Sequence, residues 1–228
     1  MKKLLEYFSK VELILWVSSI TLIVVSFMIF DRESYLTLAA SVIGGTALIF
    51  NAKGNPIGQA LIIVFSVLYA IISFSFAYYG EMITYLGMSA PMAVVALVSW
   101  MKNPYNGNKA EVKVNRLKGK EILFMTILTI VVTVIFYFIL KNLGTANIVP
   151  STFSVTTSFA AAYLTFRRSP FYALAYAAND AVLLILWTIA TLSDISYLSV
   201  IICFAMFLIN DIYGFINWRK MRKRQQSV

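Results

Sequence analysis

Eight apolar runs, roughly 11–30, 35–50, 57–79, 82–100, 121–140, 150–166, 170–192 and 196–217, fill most of the chain, and none contains a lysine or an arginine. A helical run of about 20 apolar residues matches the hydrocarbon thickness of a bilayer, and a helix satisfies its own backbone there. The expectation is an all-α integral membrane protein with eight transmembrane helices and little outside the bilayer. Composition agrees, with 13% charged residues against about 25% in an ordinary soluble domain. The first run, Val11 to Phe30, is long enough to span and lacks a small-residue cleavage site, so it reads as a span and not as a cleavable signal. The second and sixth runs are short and rich in Ala, Gly, Ser and Thr. Such residues let membrane helices approach closely, so both are expected to pack inside.

Charge placement fixes an orientation. Of the 19 lysines and arginines, all but Arg32 and Lys141 fall at alternate ends of the runs, on what would be one side of the membrane. The opposite ends hold Asp31, Glu33, Glu81 and Asp194. This is the positive-inside bias, and it puts both termini in the cytoplasm, in a cell membrane crossed many times. The same placement gives the net charge of +9 a topological meaning. No folded basic domain is present to read nucleic acid.

The basic stretch 102–120 divides the chain into halves that look alike. Asn55-Pro56 and Ser169-Pro170 each place a capping residue before a proline, a common helix opening. Ser99-Trp100-Met101-Lys102 and Asn217-Trp218-Arg219-Lys220 close the corresponding stretches, with Trp100 lying 44 residues after Pro56 and Trp218 48 after Pro170. The expected organisation is an extra N-terminal helix (1–34), a first three-helix unit (35–101), the linker (102–120), a connecting helix (121–145), a second three-helix unit (146–218) and a basic tail (219–228). One connecting span makes the two units parallel repeats, a transporter plan that puts the solute site at their interface near the midplane.

The chain has no histidine and one cysteine, Cys203, which removes histidine acid–base chemistry and any internal disulfide. No phosphate-cradling glycine loop, paired glycosidase-like carboxylates or nucleophile elbow is found. A membrane enzyme acting through its aspartates is therefore disfavoured, and no cofactor is implied. Polar residues inside spans are the functional candidates, because hydrocarbon penalises them unless they face protein or a water-filled cavity. Span seven carries Asn179, Asp180 and, two turns on, Trp187; span eight carries Asn210, Asp211, Tyr213 and Asn217. Either pair alone is open to a purely structural reading, in which it ties helices together. Recurrence of Asn-Asp in adjacent spans favours a shared polar cavity. Tyr172 and Tyr176, at i and i+4, are placed to give it aromatic walls. Carboxylates among aromatics suit a flat, cationic, partly polar solute. Pro91 is expected to kink span four. With no lysine or arginine at membrane depth, nothing would neutralise a phosphate.

Leu208-Ile-Asn-Asp-Ile-Tyr-Gly-Phe-Ile-Asn-Trp-Arg-Lys-Met, with Tyr79-Gly-Glu-Met upstream and the Trp-ended repeats, resembles the PnuC family of bacterial nicotinamide riboside transporters. The resemblance covers about residues 35–220. It implies a SWEET-like arrangement of three helices, one connecting helix and three helices. It also implies uptake of nicotinamide riboside by facilitated diffusion in a bacterial inner membrane, trapping by a cytoplasmic riboside kinase, and a homotrimer. The family's Trp-x-x-x-Trp motif corresponds here to Tyr172 and Tyr176. Its polar position in each repeat falls on Asn210 and, in the first half, on Met92, where relatives often carry Gln. Relatives that carry thiamine or riboflavin share the scaffold, and a solute-binding subunit without transport activity is the alternative of a different class.

Overall fold

The structure, a computed structural model, describes residues 7–75, 79–145 and 147–227. Lys2 and Lys3, counted above in the charge bias, lie outside the described residues. The helices are α1 (Lys10–Phe30), α2 (Tyr35–Ala52), α3 (Ile57–Ser75), α4 (Tyr79–Thr84), α5 (Ala90–Met101), α6 (Gly119–Asn142), α7 (Ile148–Phe166), α8 (Phe171–Thr191) and α9 (Leu198–Gln226). A π-helical turn, Tyr85–Ser89, joins α4 to α5 into one rod. Among the described residues seven helices are long and apolar enough to cross a membrane. The sixth expected span, α7, is 19 residues long, but Ser151, Thr152, Ser154, Thr156, Thr157 and Ser158 make it too polar to count among those seven.

Six rods form a ring in the order α2, α3, α4–α5, α7, α8, α9 and back to α2. Outside it, α1 packs on α2 and α9, and α6 packs on α7. Small residues carry the close contacts, as the Ala–Gly–Ser–Thr content of the second run leads one to expect. Ala40, Gly44, Gly45 and Ala47 are buried on α2, and Ala161 and Ala162 on α7. The outward faces are apolar, as lipid contact requires; α6 alone exposes Leu123, Phe124, Ile127 and Ile130.

The turns after α2 and α7 are built alike. Gly54 and Arg168 both adopt positive φ, at 68° and 55°. The N–H of Asn55 bonds the carbonyl of Phe50, and that of Ser169 bonds the carbonyl of Leu164, each at 3.0 Å. Asn55 Oδ1 and Ser169 Oγ then accept from the N–H two residues on, at 3.0 and 3.4 Å, capping α3 and α8. Gly58, in the first turn of α3, lies so close to Asn51 that a Cβ would sit 2.2 Å from its Oδ1. No larger residue fits that approach.

Two pairs of bonds cross between the chain halves with the same reciprocity. Trp100 Nε1 donates to the carbonyl of Thr165, and Trp218 Nε1 to that of Asn51, both at 2.8 Å. Ser99 Oγ donates to the carbonyl of Phe166 at 2.9 Å, and Asn217 Nδ2 to that of Ala52 at 2.8 Å. Carbonyls in the last turn of a helix lack the regular intrahelical partner, so they are free to accept side-chain donors, and each bond ties a helix end of one half to the other half.

The stretch 102–120 is ordered as a strap. Asn106 and Gly107, with φ of 48° and 77°, turn β1 (Pro104–Tyr105) back on β2 (Asn108–Val112). Asn-Gly is the preferred pair for a two-residue hairpin whose central residues both need positive φ. Beyond the hairpin, Val112 N–H bonds the carbonyl of Gly54 and Asn115 N–H bonds that of Arg168, each at 3.0 Å. The strap thus touches the same position in both matching turns.

Candidate functional site

The ring encloses a cavity. Its floor, near the strap, is formed by Tyr172, which meets Trp218 edge-on at 5.0 Å; behind it the Trp100 and Trp218 rings lie 5.3 Å apart between centroids. Both tryptophans are fully buried, and Val112 of the hairpin is buried beneath them. Phe65, Tyr85 and Phe207 give the cavity one aromatic wall, with ring centroids about 6 Å apart, and Tyr176 adds a ring on the α8 side. At the end away from the floor, Gly80, Glu81, Thr84 and Thr145 line it.

Polar groups converge inside. Asp180 on α8 and Asp211 on α9 face each other within interaction distance, and both are buried. Asn179 Oδ1 accepts from Ser154 Oγ at 3.1 Å and from Thr157 Oγ1 at 2.9 Å. With its oxygen occupied twice, the side-chain amide N–H2 is the group left to offer a ligand. Across the cavity, Gln59 Nε2 donates to Asn51 Oδ1 at 2.8 Å, which leaves the Gln59 oxygen as an acceptor. The lining contains three carboxylates, Glu81, Asp180 and Asp211, and among the described residues no lysine or arginine.

Of the residues singled out from sequence, Asn179, Asp180, Asp211, Tyr172 and Tyr176 line this cavity. The others lie elsewhere. Asn210 Nδ2 donates to Ser19 Oγ on α1 at 2.9 Å and to the carbonyl of Met206 at 2.7 Å. Tyr213 donates through its hydroxyl to Glu12 Oε1, also on α1, at 3.1 Å. Asn217 holds the Ala52 carbonyl, as described above. Trp187 packs against Tyr197, 5.4 Å between centroids, within an apolar cluster. Met92 packs against the cluster of Met88, Leu140, Val155 and Phe159.

Several lining residues carry no mark in the sequence reading. Glu81 was expected at a span end with the loop acids, but α4 begins before it and turns its side chain to the cavity. The π turn explains Tyr85 and Ser89. Ala90 N–H bonds the carbonyl of Tyr85, one residue further back than in an α-helix, and the extra residue turns both side chains inward. Pro91 follows at once, so the irregularity expected from that proline is a π turn placed on the cavity wall. A carboxylate so near a span was the one available signal for Glu81. Ser154 and Ser158 are indistinguishable in sequence from packing serines.

A family model described as "Nicotinamide mononucleotide transporter" matches residues 34–220. The chain belongs to this transporter family. Two relatives are similar over most of their length. The nicotinamide riboside transporter PnuC of Neisseria mucosa is 28% identical over 203 residues, 87% of this chain and 77% of that protein. The protein of the same name from Haemophilus influenzae is 22% identical over 193 residues, 84% of this chain and 82% of its own. The crystal structure of the vitamin B3 transporter PnuC superposes with a TM-score of 0.82 at 26% identity, covering 96% of this chain and 94% of that one. As a member of this transporter family the protein is a multi-pass membrane transporter. The family consists of transporters and not of enzymes.

Proposed function

We propose that the protein carries nicotinamide riboside across the bacterial inner membrane by facilitated diffusion. The observation that carries this reading is the acidity of the cavity: Glu81, Asp180 and Asp211 line it, with no basic residue beside them among the described residues. Nicotinamide riboside has a fixed pyridinium charge, a flat ring and sugar hydroxyls. Carboxylates attract the cation and the rings of Phe65, Tyr85 and Tyr176 stack on it. The Asn179 amide and the Gln59 oxygen match hydroxyls and the carboxamide. A mononucleotide adds a phosphate of about −1.5 to −2 charge, which an acidic lining repels. The same repulsion supports trapping: once a cytoplasmic kinase phosphorylates the riboside, the cavity no longer accepts it.

The path is alternating access. Residues 35–101 and 146–218 act as two parallel three-helix repeats in a SWEET-like arrangement, with α7 as the eighth crossing and both termini cytoplasmic. The matching turns and reciprocal tryptophan bonds support this reading. Under it, the aromatic floor and strap close the cytoplasmic end. Purified protein in liposomes should take up labelled riboside to the outside concentration without a proton or sodium gradient. Nicotinamide mononucleotide and riboflavin should not enter, and thiamine, also a cation, should compete weakly. Equal uptake of the mononucleotide, or uptake only with an ion gradient, would overturn the proposal.

A further inference from the structure

A second cavity, about 530 Å³, lies between the strap, α6, the end of α7, the start of α8 and the tail of α9. One half of its wall is cationic and polar, from Asn115, Arg116, Arg222 and Gln226. The other half is apolar, from Leu117, Ile122, Met125, Leu164 and Phe171, and no carboxylate lines it. We propose that this cavity binds an anionic membrane lipid, with the phosphate on Arg116 and Arg222 and an acyl chain leaving along Ile122 and Phe171.

Arginines nearby are already engaged. Arg167 pairs with Glu121 and Arg224 with Glu111. Arg168 donates to Ser99 Oγ at 3.0 Å, and Arg219 lies over the Phe215 ring. Arg222 has a buried Nε with no hydrogen-bond partner among the described residues, a state it shares with Arg168, but of the two only Arg222 lines the cavity. A buried donor of a charged group without a partner costs free energy, which an anion in the cavity would recover. Depth selects a lipid over a soluble anion. Ile122 is near the start of α6 and Phe171 opens α8, so both mark the membrane boundary, and they are 48% and 47% exposed toward the hydrocarbon. A free phosphate uses only the arginines and leaves that apolar half bare. A lipid fills both halves, the plan of basic pockets between membrane helices on the cytoplasmic side. The leaflet, though not the chemistry, rests on the orientation proposed above.

The test is native mass spectrometry of the full-length protein titrated with phosphatidylglycerol and with phosphatidylcholine of the same acyl chains. Wild type should retain phosphatidylglycerol about tenfold more strongly. Arg116→Gln, an exposed position, should reduce that preference, and Arg116→Gln with Arg222→Gln should abolish it. Lys109→Gln, on the hairpin away from the cavity, should leave it unchanged. Millimolar inorganic phosphate should not displace the lipid. No preference in wild type, a preference that survives the double variant, or an equal effect of Lys109→Gln overturns the proposal, and displacement by phosphate overturns the choice of a lipid. Riboside binding in the same samples reports folding, so lost lipid preference with intact riboside binding is expected of the variants. Loss of riboside binding in wild type would count against the transport reading alone.

Discussion

Trp218 and Asn51 meet across the seam between α9 and α2, the indole N–H 2.8 Å from a carbonyl at the end of α2. Trp100 and Thr165 repeat the relationship across the seam between α5 and α7, also at 2.8 Å. Both rings are fully buried, and each carbonyl also accepts a turn N–H, from Gly54 and from Arg168, at 2.9 Å.

Trp218→Phe keeps most of the ring and removes the donor. The Asn51 carbonyl keeps its bond from the Gly54 N–H. The loss is therefore that of one hydrogen bond, about 0.5–1.5 kcal/mol, and the Tm of the purified protein should fall. Trp100→Phe should lower it by a similar amount, because the two bonds are equivalent in geometry and burial. A large effect of one with none of the other would mean that the seams are not energetically alike. Thermal unfolding followed by intrinsic fluorescence in one detergent measures both.

The cavity carboxylates give a charge test. Asp180 and Asp211 hydrogen-bond to each other, so they share a proton and act as one acidic pair. Asp180→Asn and Asp211→Asn each preserve shape and remove a carboxyl from that pair, and each should weaken nicotinamide riboside binding by about tenfold, or 1.4 kcal/mol. The reduced dihydronicotinamide riboside has the same sugar and no ring charge, and its binding should change far less. Calorimetry with both ligands separates loss of charge attraction from loss of fit. Equal weakening of both ligands would assign the aspartates a positioning role only.

Asn179 and Asn210 should part company. Asn179 sits on the cavity, held by two hydroxyls of α7. Asn210 ties α9 to Ser19 on α1. Asn179→Ala should weaken riboside binding, whereas Asn210→Ala should lower Tm and leave binding within about twofold. Binding and melting curves on the same two preparations decide it.

That contrast also explains what the sequence could and could not reveal. Hydrophobic runs of span length announce the helices, because the bilayer leaves the backbone no alternative. Asn210 and Asp211 are adjacent, and a helix turns 100° per residue, so one faces α1 and the other the cavity. A helix buried on two sides offers nothing in its own sequence to say which side holds the ligand. Trp187 and Met92 fail for the same reason, since apolar packing and an aromatic wall need the same residue types. Glu81 hides among acids near a span end, and only its place on α4 brings it inward. The stretch 102–120 reads only as a linker, although its Asn106-Gly107 pair is the preferred turn of the hairpin found there. Its docking on Gly54 and the neighbouring bond from Asn115 to Arg168 were not legible, because both acceptors are backbone carbonyls that any residue supplies.

The strap makes the last prediction. Val112 and Asn115 each give a backbone N–H to one of the two matching turns, and Gln225 of α9 accepts from Val114 N–H at 2.8 Å while its amide donates to the Val112 carbonyl at 3.1 Å. If the halves rock apart at this end to release solute, these bonds must break. Asn115→Pro removes the N–H that holds Arg168 and should loosen the end at a cost of about 1 kcal/mol. Val112→Pro does the same at Gly54 but also disturbs a fully buried side chain, so Asn115→Pro is the cleaner variant. Hydrogen–deuterium exchange of the wild-type protein should be slow at the turns around Gly54 and Arg168. In Asn115→Pro it should rise several-fold at Arg168 and, through the shared strap, at Gly54 as well. Faster exchange at Arg168 alone would mean that the strap decorates each turn separately and does not couple them. Zero-trans uptake should then show which way the coupling matters. If release at the strap end limits the cycle, Asn115→Pro raises the rate; an unchanged rate with faster exchange would place the slow step at the opposite end, near Glu81 and Thr145.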